Sequence, residues 1–393
     1  MKFFNIGVKI FLAAYLIRVL GSEKYGLFTW LDSVIQYFLM IVNFGFNIYA
    51  AKYIVENKDK KDKINEIISS IFIIKLVLFI FSILCILFLG NFETFSAYKH
   101  LLLLLMFAGI GEVLFPVWFF QGVENLKPAT IIVFLTRLFL LIGTIIFVNA
   151  QYDLLSYIVL FVISSILMGI LGVFYLFKYY KIKIALLPIS KLMNYFKESL
   201  PFFIGRFLAL VFNFGTIFFI GNFCLLEQVT GFDTGIKIVM LAVIPFEMLQ
   251  QAVFPTISRT KNKKLLKNLV YASFLIGALI GTLVFLMAEY FMVWVGGEEM
   301  LQFAPSLKIL AILCPFVSLT FILGTCSLVA FGYYREYNFS LIFTSIIYLL
   351  ILIVLYFTET INFWNLIYLR VFGDILMVLI RLFYSFKRKT IIA

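Results

Sequence analysis

The sequence predicts an all-α integral membrane protein of about twelve transmembrane helices in two six-helix lobes. Three observations predict it: an extreme apolar composition, a train of separated apolar runs, and a lopsided distribution of lysine and arginine. Of 393 residues, 64% are hydrophobic and 13% charged. A soluble domain is roughly 45–50% apolar and about 25% charged. A soluble fold would lack the polar surface to cover this core, and a disordered chain would be far more polar. An outer-membrane barrel needs alternating strands around a polar lumen, whereas the runs here are continuous. At roughly 20 residues per span, the length suits twelve helices.

The runs, bounded by charges or turn residues, are 3–20, 27–50, 66–90, 99–121, 128–149, 154–177, 200–221, 232–256, 267–290, 305–331, 338–357 and 361–384. The first starts abruptly at Met1, contains Asn5 and Lys9, and lacks a small-residue cleavage site. It is expected as a weak span, shortened at its start, and not as a cleaved signal peptide. The lobes are expected at 1–177 and 200–386, joined by a cytoplasmic linker over 178–199 and followed by a basic tail over 387–393. With the N-terminus inside, the cytoplasmic connections and tail carry twenty Lys and Arg, against two or three outside. Cytoplasmic loops accumulate these residues, so the orientation is N-in, C-in. The net charge of +12 therefore reports topology and not nucleic-acid binding. No connection is long enough to fold with a core of its own, which places the activity inside the membrane.

A weak internal repeat is visible. Gly26 opens the second run after Glu23, and Gly231 opens the eighth after Glu227. Six helices separate them, so the halves share one orientation, as in transporters built from parallel repeats. Cys85, Cys224, Cys314 and Cys326 all lie in apolar runs without a CxxC, and His100 is the single histidine. Buried thiols are expected, with no metal centre and no histidine-based catalysis. There is no phosphate-binding glycine motif either.

Charges inside a bilayer cost roughly 2.5–3.5 kcal/mol each on insertion scales, so each needs a reason. In the second run, Asp32, Gln36, Asn43 and Asn47 fall within about 60° of each other at 100° per residue. In the eighth, Asp233, Lys237, Glu247 and Gln251 likewise form one stripe. Arg206 and Asn213 share a face of the seventh run, and Thr130, Arg137 and Thr144 a face of the fifth. Lys75 lies in the third run and Glu112 in the fourth. Asp233–Lys237 and Arg370–Asp374 are opposite charges one turn apart, which suits either internal ion pairs or a ligand site. Arg381 sits near a helix end and is expected to snorkel. Arg18 closes the first run at the outer surface and is expected as an interfacial anchor or a loop tie. Lys75, Arg137 and Arg206 have no acid one turn away. They require a partner on another helix, a watery cavity or an anionic ligand. Stripes on both the second and the eighth runs imply a polar cavity between the halves. Its cations suit an anionic, hydrated substrate such as a phosphate or acidic sugar. The substrate-binding candidates are Lys9, Lys75, Arg137, Arg206, Asn213, Lys237, Asn43 and Asn47. The acids Asp32, Glu112, Asp233, Glu247 and Asp374 are candidates for coupling or for structural pairing.

Specific strings add to this reading. Arg18-Val19-Leu20-Gly21, Tyr25-Gly26-Leu27-Phe28 and Asn43-Phe44-Gly45-Phe46-Asn47 resemble the N-terminal region of Wzx-type oligosaccharide-lipid flippases. Phe115-Pro116-Val117-Trp118-Phe119-Phe120-Gln121-Gly122-Val123-Glu124 resembles that family's fourth-helix motif. Ser199-Leu200-Pro201-Phe202-Phe203, Gly235-Ile236-Lys237-Ile238 and Phe254-Pro255-Thr256-Ile257-Ser258 resemble its second half. The resemblance implies a MATE-like architecture with alternating access. It also implies a polyprenyl-pyrophosphate-linked oligosaccharide as substrate, moved to the outer leaflet of the bacterial inner membrane for O-antigen or capsule assembly. Membrane lipids and other polysaccharide-assembly proteins are the implied partners, with a monomer, no enzymatic step, no nucleic acid and no cofactor beyond proton, sodium or potential coupling. A MATE-like small-molecule exporter is the competing reading, though acids would dominate its cavity. A membrane polymerase would need sizeable outer loops, which the sequence lacks.

Overall fold

Helix follows helix from end to end in the computed structural model, which describes residues 2–391, with side chains from Gly7 onward. The side chain of Asn5 lies outside the described residues. The helices are α1 (Lys2–Leu20), α2 (Ser22–Asn43), α3 (Phe46–Glu56), α4 (Lys61–Leu89), α5 (Glu93–Ser96), α6 (Lys99–Met106), α7 (Ala108–Leu114), α8 (Val117–Gly122) and α9 (Lys127–Phe147). Then follow α10 (Leu154–Tyr180), α11 (Ile189–Phe223), α12 (Leu226–Thr260), α13 (Lys263–Leu286), α14 (Ala288–Gly296), α15 (Ala304–Leu310), α16 (Leu313–Phe321), α17 (Tyr334–Phe357) and α18 (Phe363–Lys387). A wider π-helical stretch, Ile322–Val329, continues α16.

The faces identify the solvent. In α4, Ile67, Ile71, Ile74 and Ser82 are buried, while Val77, Phe81, Leu84 and Phe88 are each more than half exposed. Large apolar side chains displayed in such a stripe would aggregate in water and are at home against lipid. This is a multi-pass membrane protein. Among the described residues, nine helical segments are long and apolar enough to cross a bilayer, or ten if Glu298–Leu310 and Leu313–Val329, bent by 52°, form one span. The sequence predicts twelve. Helices α1 and α18 do occupy the first and twelfth runs, but neither is among those segments.

Four runs read as single helices are broken: the ninth at Met287, between α13 and α14, and three others, each for a local reason. The second breaks after Asn43, where Phe44 and Gly45 take positive φ values of 37° and 75°. The fourth breaks at Pro116, between α7 and α8. The tenth breaks between α15 and α16. There Pro315 has no N–H to give the Ala311 carbonyl, the bond a continuous helix would make.

The chain divides into two compact units: Met1–Leu12 with Trp30–Leu210, and Ala13–Thr29 with Val211–Ala393. In the first unit, α3, α4 and α8 share a core that includes Phe46, Ile54, Ile67, Ile71, Trp118 and Phe120. The segment expected as a linker, 178–199, comprises the end of α10, a non-helical stretch and the first turns of α11. Ile182 and Tyr195 are buried in that same core. In the second unit, the Arg18 guanidinium donates to the carbonyls of Trp294 at 2.6 Å and Val295 at 3.3 Å, so it ties the last turn of α14 and not a loop. Gly26 lies directly against the backbone of Leu226, where a Cβ would overlap the carbonyl.

Arg381 does not snorkel. It is 4% exposed, donating to the Thr320 carbonyl at 3.0 Å and Ser340 Oγ at 3.1 Å and lying over the Tyr337 ring. Gly324 makes the room, since a Cβ there would come within 2.7 Å of the guanidinium. Of the four cysteines, all free, Cys314 and Cys326 are buried, while Cys85 and Cys224 are only half-buried.

Candidate functional site

Buried polar groups gather around Lys75 in the first unit and around Lys237 in the second. In the first unit, α4 carries Lys75 into the core, where it is 1% exposed. Its ammonium donates to Asn43 Oδ1 at 2.8 Å and to the Glu112 carbonyl at 2.9 Å. Asn43 Nδ2 in turn donates to Glu112 Oε2 at 3.1 Å. The sequence explains why that carbonyl is available. Residue 116 is proline, so the Glu112 carbonyl has no helical N–H donor four residues on. Lys75 fills the gap. A buried cation needs such acceptors and a nearby carboxylate to be tolerated.

Lys75, Asn43 and Glu112 are thus brought together, as sequence reasoning allowed but did not specify. Asn47 is not part of the group. The break at Phe44–Gly45 turns it away from the helical register, and its Oδ1 is buried with no hydrogen-bond partner. The single stripe predicted from Asp32 to Asn47 therefore ends at Asn43. Near its start, Gln36 Nε2 donates to Asp32 Oδ1 at 3.1 Å.

In the second unit, Lys237 and Asp233 on α12 form the predicted ion pair, at 2.5 Å. Tyr25 from α2 completes it, donating its hydroxyl to Asp233 Oδ2 at 2.8 Å while accepting from Lys237 at 2.5 Å. The ammonium also lies 5.2 Å from the Tyr25 ring centre. Tyr25 and Asp233 are buried, and the Lys237 side chain keeps 29% exposure. Sequence reasoning missed Tyr25 as a site residue. The available signal was Gly26 beside it, whose bare Cα lets α2 approach α12.

The other candidates stand apart. On α12, Gln251 Nε2 donates to Glu247 Oε1 at 3.3 Å. Asp374 is bound by Arg370 at 2.9 Å, both buried, and Arg370 also donates to the Phe212 carbonyl at 2.7 Å. That makes the second predicted pair a packing element of α18. Lys9 and Asn213 lie on exposed faces of α1 and α11. Arg137 and Arg206 differ from every other intramembrane cation. Both are half-buried within segments apolar enough to span a bilayer. Neither has a hydrogen bond or ion pair to protein among the described residues.

A second cluster in the first unit was not foreseen. Tyr49 donates to the Glu198 carboxylate. Tyr195 donates to Glu66 Oε1 at 3.2 Å, and Lys191 pairs with Glu66 at 3.0 Å. Phe44 stacks between Phe196 and Phe203, with ring centres 4.1 and 4.6 Å away. The first turns of α11 are thereby fastened to α3 and α4. No helical spacing signals contacts between residues more than a hundred positions apart.

Comparisons with known proteins follow this geometry. A protein of Escherichia coli (strain K12) described as an O-antigen transporter is 33% identical over 144 residues, which are 36% of this chain and 34% of that protein. The match thus spans about a third of the relative. The solved structure of the lipid II flippase MurJ in an inward closed conformation is similar with a TM-score of 0.82 at 14% identity, over 98% of this chain and 86% of that one. A multidrug resistance MATE family transporter of the MOP superfamily, in an inward-facing conformation, is similar with a TM-score of 0.78 at 12% identity, over 97% and 94%. These similarities establish a MurJ/MATE-like fold. Residues 1–261 match the polysaccharide biosynthesis protein family, about two thirds of the chain, and the chain belongs to that family.

Proposed function

We propose that the protein is a flippase for polyprenyl-pyrophosphate-linked oligosaccharide units, moving them from the cytoplasmic to the outer leaflet of the bacterial inner membrane for O-antigen or capsule assembly. The orientation is N-in, C-in, the acting species a monomer working beside other polysaccharide-assembly proteins, and the cycle one of alternating exposure to the two membrane faces without a catalytic step. The family and the transporter relative support this reading. The observation that carries it is that Arg137 and Arg206, half-buried cations in spans, have no hydrogen bond or ion pair to protein among the described residues. An arginine left without an acceptor at membrane depth is costly, and its fork matches a phosphate bidentately. Lys75 and Lys237, whose ammonium groups are engaged by protein, contribute positive potential and hold their helices.

The membrane potential favours the direction. Two negative charges leaving a negative interior gain about 5 kcal/mol per 100 mV. Among the acids, Asp233 and Asp374 are committed to cations. The acids we assign to coupling with protons or sodium are Asp32, Glu112 and Glu247, which accept from Gln36, Asn43 and Gln251 respectively.

The test is made in the source organism. With the gene deleted, surface polysaccharide should be lost and the lipid-linked unit should accumulate on the inner leaflet. The wild-type gene should restore export and Arg206→Ala should not, at equal membrane abundance. Unchanged glycans with altered sensitivity to cationic drugs would favour a small-molecule exporter instead.

A further inference from the structure

The second unit carries a groove of about 500 Å³ that the transport reading does not use. It is walled by α13, α16 and α18. Leu319 and Val378 form a buried floor, and Tyr271, Phe274 and Phe386 form an exposed aromatic rim. The volume lies in the range of sites that take small organic ligands, roughly 300–1,000 Å³. Among the described residues of its lining, Lys267 is the single charged one.

The charge around that lysine is one-sided. Lys263 and Lys264 lie one turn earlier on α13, on the same face as Lys267. Lys387 follows the lining residue Phe386, its ammonium 5.9 Å from the Phe383 ring centre. Glu336, the acid at the start of α17, is taken by Arg388. An apolar trough ending in lysines with no ion pair among the described residues has the pattern of a lipid: chain in the trough, anionic head at the lysines. Basic pockets between membrane helices bind such heads.

We propose that this groove is a binding site for one anionic phospholipid, with an acyl chain along α13 and α18 and its phosphodiester at Lys267. A single lysine in the lining matches a singly charged phosphodiester better than a pyrophosphate. None of Arg137, Arg206 or Lys237 lines the groove, so this site stands whether or not the flippase reading does.

Native mass spectrometry of the delipidated full-length protein tests it, with phosphatidylglycerol, phosphatidylcholine and undecaprenyl phosphate titrated separately. One phosphatidylglycerol should be held at least fivefold more tightly than phosphatidylcholine or undecaprenyl phosphate. Lys267→Gln should weaken it about fivefold, the effect of one lysine near a membrane surface. Leu379→Trp, a bulky change at a half-exposed wall position, should abolish it without lowering the lipid-free unfolding midpoint. The proposal is overturned by equal retention of phosphatidylcholine, by tighter retention of undecaprenyl phosphate, by a Leu379→Trp protein that keeps the lipid, or by a dimer that Leu379→Trp dissolves.

Discussion

Lys75 donates to Asn43 at 2.8 Å, tying the middle of α4 to the last residue of α2 just before the chain breaks. The bond fixes the end of α2 at the point where Gly45 redirects it. Asn43→Leu strips the ammonium of one acceptor and leaves Glu112 without its amide donor. Leaving buried polar groups unpaired costs about 1–3 kcal/mol, more when one is charged. Asn43→Leu should therefore lower the thermal unfolding midpoint in detergent clearly. Adding Lys75→Met should recover part of the loss, because the buried charge left with one acceptor fewer is gone. Losses that simply add in the double variant would show that the two residues are not coupled.

Tyr25 bridges both members of the Asp233–Lys237 pair, so the three variants should rank. Tyr25→Phe removes a hydroxyl bonded to two charged groups and should cost about 1.5–3 kcal/mol. Asp233→Asn leaves the ammonium half-buried without its counter-charge, for which roughly 3–5 kcal/mol is the usual range. The double variant Asp233→Asn/Lys237→Met should be more stable than Asp233→Asn alone. Chemical denaturation of the solubilised protein reads all three, and a Tyr25→Phe effect as large as that of Asp233→Asn would contradict the arrangement.

The positions of the helices were legible because a bilayer demands long apolar runs, and nothing else in the chain imitates one. The intrahelical pairs Asp233–Lys237 and Arg370–Asp374 were legible as candidates, since helical spacing sets opposite charges one turn apart but leaves open whether they pair or hold a ligand. What spacing cannot give is the partner across helices. Lys75 plainly needed one, but Asn43 and the Glu112 carbonyl became identifiable only once Pro116 was seen to free that carbonyl. Arg381 was misread because nearness to a helix end says nothing about a hollow at Gly324 on another helix. Asn47 was misread because a helical wheel assumes no break, although Phe44-Gly45 offered the warning.

Arg137 and Arg206 have no hydrogen bond or ion pair among the described residues, so their removal should leave stability almost untouched. Arg137→Ala and Arg206→Ala should each shift unfolding by no more than about 0.5 kcal/mol, the usual scale where no structural feature is lost. Surface polysaccharide should nevertheless fall at least tenfold, since a lost charged hydrogen bond is worth about 1.5–3 kcal/mol. Export and unfolding measured on the same preparations separate the two effects. Destabilisation in step with lost export would assign these arginines to the architecture instead.

Gly45 and Gly205 make a controlled comparison. Gly45 has φ of 75°, and an added Cβ would meet Phe202 and Phe203 at 2.8–3.0 Å. Gly205 lies inside α11 with nothing within 4 Å of an added Cβ. Gly45→Ala meets a left-handed penalty of about 1–2 kcal/mol and a further cost of about 1–3 kcal/mol for forcing the two phenylalanines aside. It should lower the unfolding midpoint and loosen α2 from α11, read as faster protease cleavage near residue 45. Gly205→Ala should raise stability by about 0.5–1 kcal/mol, the ordinary gain of alanine over glycine in a helix interior. The opposite signs follow from backbone conformation and local space, since the substitution is chemically identical at both sites. A Gly45→Ala protein as stable as wild type would mean that the break between α2 and α3 can straighten, and that Asn43 and Asn47 can share one face after all.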